Sequence, residues 1–267
     1  MKIGRFLIAR RTEYGVLEDE KVRVMLGTPY TCFRRPGGRP RLTDTTYQLK
    51  EVRLLAPCLP SKIVAVGLNY RSHAMERNLP IPDHPLIFLK PSTAVVGPED
   101  EIVYPKASKR VDYEGELAVV IGRKAKAVAE ARAKEYILGY TCCNDISARQ
   151  EMQDDRGLAT RSKSYDTFAP IGPCIETDIS PDDLKLELYQ NGELRQSART
   201  NDLIFSVDAL VSFVSSAMTL LPGDVISTGT PSGTGNPSGL GSMKPGDRVE
   251  LKIEGIGTLR NYVVAQE

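Results

Sequence analysis

Glu114 and Glu116 flank one glycine at the head of Leu117-Ala118-Val119-Val120-Ile121, a run too apolar for a solvated surface. Val119, Val120 and Ile121 favour a β-strand, whose period of two sends both carboxylates out of one face, side by side. Ionised carboxylates so placed repel. A divalent cation is the simplest neutralising group, because hard ions such as Mg2+ or Ca2+ bind carboxylates and water. A strand end with both glutamates in solvent is the plain alternative, since an E-x-E pair alone is a weak pattern. His73 and Glu76 lie three apart, which on a helix brings them onto one face. A carboxylate that orients a histidine and makes it more basic is the usual general base for activating water, although surface His-Glu pairs are common. Asp145 follows the strand-like Leu138-Gly139-Tyr140-Thr141-Cys142-Cys143 and can supply a third oxygen ligand if that strand returns beside the first. Helix N-capping is the commoner use of aspartate at such a boundary. Lys163 can neutralise an anionic substrate or a developing oxyanion, although most lysines simply face solvent.

These residues need elements to position them. Residues 1–55 read as short strands, Ile3 to Ile8, Tyr14 to Leu17 and Val22 to Leu26, before a Pro36-Gly37-Gly38-Arg39-Pro40 turn: a small β-rich domain without a catalytic constellation. Residues 56–61, with their two prolines, read as a linker, and residues 62–267 as the main domain. Lys62 to Val66 is an apolar strand whose polar end, Asn69-Tyr70, can line a cleft. Arg71 to Asn78 suits a helical turn or two, and His84 in Pro82-Asp83-His84-Pro85 reads as structural. Leu86 to Lys90 is a strand, Lys126 to Ile137 a helix on its alanines and glutamates, and Gln150 to Arg161 a charged loop able to cover a site. Leu184 to Tyr189 alternates as a strand into the hairpin signal Asn191-Gly192. Ser206 to Leu220 is the best amphipathic helix, capped by Ser206. The glycine-rich stretch Ser227 to Gly239 lacks G-x-x-x-x-G-K-[ST] and G-x-G-x-x-G, so it reads as a pocket-lining loop rather than a nucleotide loop. Lys244-Pro245-Gly246-Asp247 turns into final strands at Arg248 to Ile253 and Thr258 to Val264.

Composition removes other function classes. A chain of 267 residues with 41% hydrophobic content can bury a full core, and a net charge of +1 gives no field that recruits nucleic acid or an anionic membrane. Five cysteines without C-x-x-C spacing read as reduced thiols, not a zinc site. The N-terminus has no apolar signal region and no apolar run reaches membrane-spanning length, so a soluble, cytoplasmic protein is expected.

Taken together, Gly67-x-Asn69-Tyr70-x-x-His73-x-x-Glu76, Phe88-Leu89-Lys90-Pro91-Ser92, Asp112-x-Glu114-x-Glu116-Leu117, Asn144-Asp145-x-Ser147-Ala148-Arg149, Lys163-Ser164-Tyr165-Asp166, Thr228-Gly229-Thr230-Pro231 and Lys244-Pro245-Gly246-Asp247 resemble the fumarylacetoacetate hydrolase family, in family order. The resemblance spans about residues 60 to 267. It implies a mainly β fold with some α, the family's mixed β-sandwich roll, preceded by a small N-terminal β-rich domain, and a homodimer. It further implies Mg2+, with Mn2+ or Ca2+ also suited, on Glu114, Glu116 and Asp145, and a water-activating dyad of His73 and Glu76. Lys163 and Thr230 resemble residues that hold the substrate's polar end; Tyr165, Thr167, Arg149 and Gln153 complete the implied substrate contacts. The family usually has an acidic residue where Gln150 follows Arg149 here.

A 2-oxo acid or its enol can chelate such an ion, which stabilises enolate charge. Hydrolysis of an acylpyruvate-type substrate, releasing pyruvate, is the first expectation because both dyad residues are present. An isomerase or decarboxylase of aromatic-acid meta-cleavage pathways, or an oxaloacetate decarboxylase, is close behind. A metal-binding protein that keeps the pocket without turnover is the alternative outside enzymes.

Overall fold

The apolar runs of this sequence are short and β-branched, and they become strands. In a computed structural model, residues 1–33, 38–234 and 242–267 are described. The expected turn at Pro36-Gly37 and the Gly235-Asn236-Pro237-Ser238-Gly239 part of the glycine-rich stretch lie outside them.

The chain opens with β1 (Lys2–Ile8), β2 (Arg11–Glu18), β3 (Lys21–Met25), a single turn α1 (Pro29–Cys32), β4 (Leu42–Gln48) and β5 (Arg53–Leu55). Then come β6 (Ile63–Gly67), α2 (Arg71–Glu76), β7 (Leu86–Lys90), β8 (Val95–Val96), β9 (Glu101–Tyr104), β10 (Val111–Asp112) and β11 (Gly115–Ile121). β12 (Ile137–Asn144), β13 (Ser147–Ala148), α3 (Arg149–Asp154), α4 (Ala159–Lys163) and β14 (Ala169–Glu176) follow. The chain closes with β15 (Lys185–Gln190), β16 (Glu193–Arg199), α5 (Val207–Ala217), β17 (Val225–Ser227), β18 (Ser242–Met243), β19 (Arg248–Ile253) and β20 (Gly257–Ala265). The fold is mainly β with some α.

One 12-stranded sheet runs β4-β3-β2-β1-β14-β12-β11-β17-β6-β7, with β5 on β1 and β8 on β14. The N-terminal strands therefore extend the same sheet, joined where Lys2 and Ile3 pair with Glu176 and Ile175. A second sheet, β16-β15-β19-β20-β9, packs against it, and β13-β10-β18 forms a short third one. β11 is buried along its whole length. Leu117, Val119 and Ile121 enter one core with Val64, Val66, Leu188 and Leu251; Ala118 and Val120 enter another with Ile63, Ile171 and Ile175. Burial on both faces is why this strand reads as a continuous apolar run rather than an alternation. Each such Val, Leu or Ile side chain contributes roughly 1.5–3 kcal/mol on leaving water.

Local signals hold at the β15–β16 hairpin, where Asn191 and Gly192 both take positive φ, 53° and 85°, as a type I′ turn requires. At α5, Ser206 Oγ accepts from Ala209 N at 3.2 Å. Two readings change, and two strands go unread. Lys126 to Ile137 is not an α-helix but a 3-10 segment, Glu130–Tyr136. Upstream of it, Ala125 bridges Leu220, Ala127 has φ 49°, and Val128 N donates to Ser215 Oγ, so the groups that would start a helix are used elsewhere. The charged loop Gln150 to Arg161 is largely α3 and α4. β4 escapes the sequence reading because it is a polar, half-solvated edge strand, and β14 because Pro170 and Pro173 interrupt it. No helix among the described residues is long and apolar enough to cross a membrane, and all five cysteines are free thiols.

Candidate active site

Antiparallel register brings the carboxylates together. Gly115 pairs with Asn144 and Glu116 with Cys143, so the start of β11 adjoins the end of β12. Asp145 N donates to Glu114 O at 2.8 Å, and Glu114 N to Asn144 Oδ1 at 2.9 Å. Oxygens of Glu114, Glu116 and Asp145, all buried, lie within 4.8 Å of one another at the floor of a cavity. The cavity measures about 580 Å3, and His73, Arg149, Gln153, Lys163 and Thr230 also line it.

Each carboxylate is held differently. Glu116 Oε2 accepts from Ser227 Oγ at 2.5 Å and from Gly229 N at 2.9 Å. That second contact depends on Gly229, whose φ is 101° and where a Cβ would come 2.8 Å from Asn69 Cβ. Glu114 is clamped between Arg149 and Lys163, and Lys163 Nζ also donates to Asp145 Oδ2 at 2.5 Å. Arg149 is itself fixed by Asp112, which a second guanidinium, Arg110, also engages.

Burial would raise the Glu114 carboxyl, but Arg149 and Lys163 overcome it and hold Glu114 well below the usual carboxylate range. Glu116 goes the other way: burial first, then the charges of Asp145 and Glu114, push its carboxyl well up. Burial lowers Lys163, but Asp145 and Glu114 more than restore it, so its ammonium is strengthened. Lys90, wholly buried, is lowered because burial outweighs Asp145.

These residues fit a hard divalent cation. Asp145 Oδ1 is buried and, apart from the Lys90 ammonium 2.6 Å away, has no polar partner among the described residues. Glu116 is the carboxylate whose ionisation the site leaves least compensated. Both are oxygen donors that a cation would satisfy.

His73 Nδ1 lies 2.9 Å from Glu76 Oε2 on α2, and Glu76 Oε1 accepts from Gly233 N at 2.9 Å. The carboxylate is pinned at both oxygens. Nε2 is then the ring nitrogen that Glu76 does not engage. Burial lowers the imidazole's pKa below its ordinary value despite Glu114 and Glu76, so His73 is neutral at physiological pH and able to accept a proton.

The structure does not bring every expected contact to the cavity. Tyr165 packs on Phe168 and its hydroxyl donates to Glu151 Oε1 at 3.4 Å; Thr167 Oγ1 accepts from Val103 N at 2.9 Å. Neither lines the cavity, because both hold the turn between α4 and β14. Thr230 lines it, with its hydroxyl donating to Gly115 O at 3.1 Å and accepting from Gln196 Nε2 at 2.8 Å. His84 stays outside, stacked near Phe213. Sequence reasoning gave no role to Lys90, Gln196 or Arg77. Lys90 had a signal, a lysine closing an apolar strand. Gln196 sits mid-strand in β16 and had none.

Residues 62–264 match the family model described as Fumarylacetoacetate (FAA) hydrolase C-terminal, and residues 1–57 match one described as Rv2993c-like, N-terminal. The chain is 43% identical to oxaloacetate tautomerase FAHD2B, mitochondrial, of Bos taurus, over 80% of this chain and 70% of that protein. The structure of 5-carboxymethyl-2-hydroxymuconate delta-isomerase from Mycobacterium smegmatis is similar over 100% of both chains, at TM-score 0.90 and 43% identity. Maleylpyruvate hydrolase from Sphingobium sp. SYK-6, solved with manganese (II) and pyruvate, is similar over 100% of both chains at TM-score 0.81 and 30% identity.

Proposed function

Because the chain belongs to the fumarylacetoacetate hydrolase family, we propose that it is a metal-dependent enzyme that transfers a proton between keto and enol forms of a 2-oxo acid. Its relatives are enzymes of the isomerase, tautomerase and hydrolase kind, and the maleylpyruvate hydrolase among them was solved with manganese (II). The observation that carries the reading is His73, which lines the same cavity as the three carboxylates and is held from behind by Glu76 at 2.9 Å.

Glu114, Glu116 and Asp145 would hold Mg2+, which supplies Lewis-acid stabilisation of enolate charge when bound. His73, neutral and oriented by Glu76, takes a proton from the carbon beside the 2-oxo group as the C–H electron pair passes into the enolate, and the enolate oxygen takes up a proton to complete the enol. In the reverse direction the oxygen loses its proton and His73 returns one to carbon. Lys163 supplies fixed positive charge beside the reacting oxygens. Arg149 holds Glu114 in place through its bond to Asp112.

Hydrolysis of an acylpyruvate, first on the sequence alone, is the second reading. The same pair can deliver water to a second carbonyl, and a relative of that activity is similar across the whole chain. Proton transfer ranks first because it needs only the base that is present, and relatives at 43% identity carry isomerase and tautomerase names. We further take the protein to be a homodimer, which sedimentation in solution would decide.

Deuterium wash-in at the carbon beside the 2-oxo group of oxaloacetate tests the reading, measured above the buffer rate with Mg2+ and again after EDTA. Metal-dependent exchange that falls roughly 100- to 10,000-fold in His73→Ala is expected. Exchange indifferent to EDTA or to His73 would sink it. Pyruvate release from acetylpyruvate with no wash-in would transfer the assignment to hydrolysis.

A further inference from the structure

The cations lining the cavity divide unevenly between those with acid partners and one without. Arg110 pairs with Asp112, Arg149 with Asp112 and Glu114, and Lys163 with Glu114 and Asp145. Arg77 lines the same cavity, yet among the described residues it pairs with no carboxylate. Its hydrogen bond to a side chain is neutral, from Nη2 to Thr234 Oγ1 at 3.1 Å. Adjacent Glu76 is occupied by His73 and Gly233 N. The undescribed segments, Arg34 to Gly37 and Gly235 to Gly241, contain no acidic residue.

Arg77 is also well placed to be rigid. It is the C-cap of α2, half-buried, with its N–H donating to His73 O at 3.1 Å. α2 is fixed in turn by Ser72 N donating to Asp202 Oδ2 at 3.0 Å and by Arg71 donating to Leu203 O at 2.6 Å. A half-buried guanidinium without an anion in a ligand cavity is suited to a carboxylate, which matches its fork of donors.

We propose that Arg77 determines substrate specificity by binding the second carboxylate of a 2-oxo dicarboxylic acid whose 2-oxo acid end lies at Glu114, Glu116 and Asp145. This rests on the 2-oxo acid reading above and extends it to a substrate class. Thr234 keeps the guanidinium oriented until the substrate arrives. Phe88, Leu79 and Met152 line the same cavity and offer apolar wall for a short carbon chain.

The test compares Arg77→Gln and Arg77→Lys with the unaltered protein, all loaded with Mg2+, on oxaloacetate and on its monocarboxylic counterpart 2-oxobutanoate. The readout is the ratio of kcat/KM between the two acids, by deuterium wash-in. Loss of a charge-assisted contact predicts that this ratio falls about 10- to 100-fold in Arg77→Gln, through KM more than kcat, with partial recovery in Arg77→Lys. A ratio unchanged in Arg77→Gln overturns the assignment even if turnover by the parent protein upholds the reaction. Should the parent turn over neither acid, the reaction reading fails, and calorimetric binding of the two acids to the Mg2+-loaded protein decides Arg77 on its own. A preference for the dicarboxylate that Arg77→Gln abolishes then supports the assignment; a preference that survives, or no preference in the parent, overturns it. Thermal melts confirm that each variant is folded.

Discussion

Glu114 and Glu116, two residues apart, are held in opposite electrostatic states, and that contrast prepares the site for a cation. Glu114 is compensated by Arg149 and Lys163, whereas burial and neighbouring charge leave Glu116 under-compensated. Replacing Glu116 with Gln should remove more than the roughly 10- to 100-fold in metal affinity that changes around a ligand shell cost. The variant's thermal midpoint should stop rising with Mg2+, because stabilisation by a ligand follows its affinity for the folded state. A midpoint that still responds would exclude Glu116 as a ligand. For His73 the sign is set by burial. The folded imidazole titrates below its ordinary 6.5, the unfolded one near it. The unfolded chain therefore binds more protons below that pH, so the stability contributed by neutral His73 is complete above 6.5 and is lost as pH falls toward the folded value. The acid limb of kcat/KM should likewise lie below 6.5 and disappear in His73→Gln. Gly229→Ala should lower stability by about 1–3 kcal/mol and weaken catalysis with it, since φ of 101° and the contact with Asn69 both oppose a side chain.

At the scale of elements, the site is a junction of strand ends. β11 and the residues flanking β11 and β12 supply the carboxylates, α2 the His73–Glu76 pair, α4 the lysine, and the segment after β17 the backbone donor to Glu116. Asn69, just before α2, ties that helix to the segment after β17 through Nδ2 donating to Thr228 O at 2.7 Å, while its Oδ1 accepts from Phe205 N at 2.8 Å. An element that packs without entering the site should behave differently. α5 buries Leu210, Val211 and Val214, and its cap, Ser206, touches nothing in the cavity. Ser206→Ala should cost about 1 kcal/mol of stability, visible as a lower thermal midpoint, with kcat and KM retained. A loss of turnover in the folded variant would mean that α5 transmits to the site.

For the whole molecule, the joined sheet is the feature with consequences. β1 covers β14, and Ile3 shares a core with Ile171 and Ile175. Deleting residues 1–57 would expose the edge of β14 and apolar surface with it, the condition that templates aggregation. The shortened chain should be less soluble and melt lower than the full one. A shortened chain as soluble and as stable would mean that the N-terminal strands are an appendage.

What the sequence alone determined was mostly local or adjacent: most strands of the core though not β14, the hairpin at Asn191-Gly192, the Ser206 cap, and the His73–Glu76 spacing that one helical turn converts into a contact. Glu114 and Glu116 were legible because period two is a local rule. Tertiary structure alone decided the rest. Whether Asp145 capped a helix or joined the carboxylates depended on the register of β12 against β11. Which residues after Lys163 reach the cavity depended on a turn that points Tyr165 and Thr167 away from it. Lys126 to Ile137 had helical composition but gave the backbone N–H groups of Ala127 and Val128 to Ser215, a distant partner that no local pattern encodes. The same reason hid Arg77: an arginine is ordinary in sequence, and becomes distinctive only when its neighbours' charges are seen to be already paired.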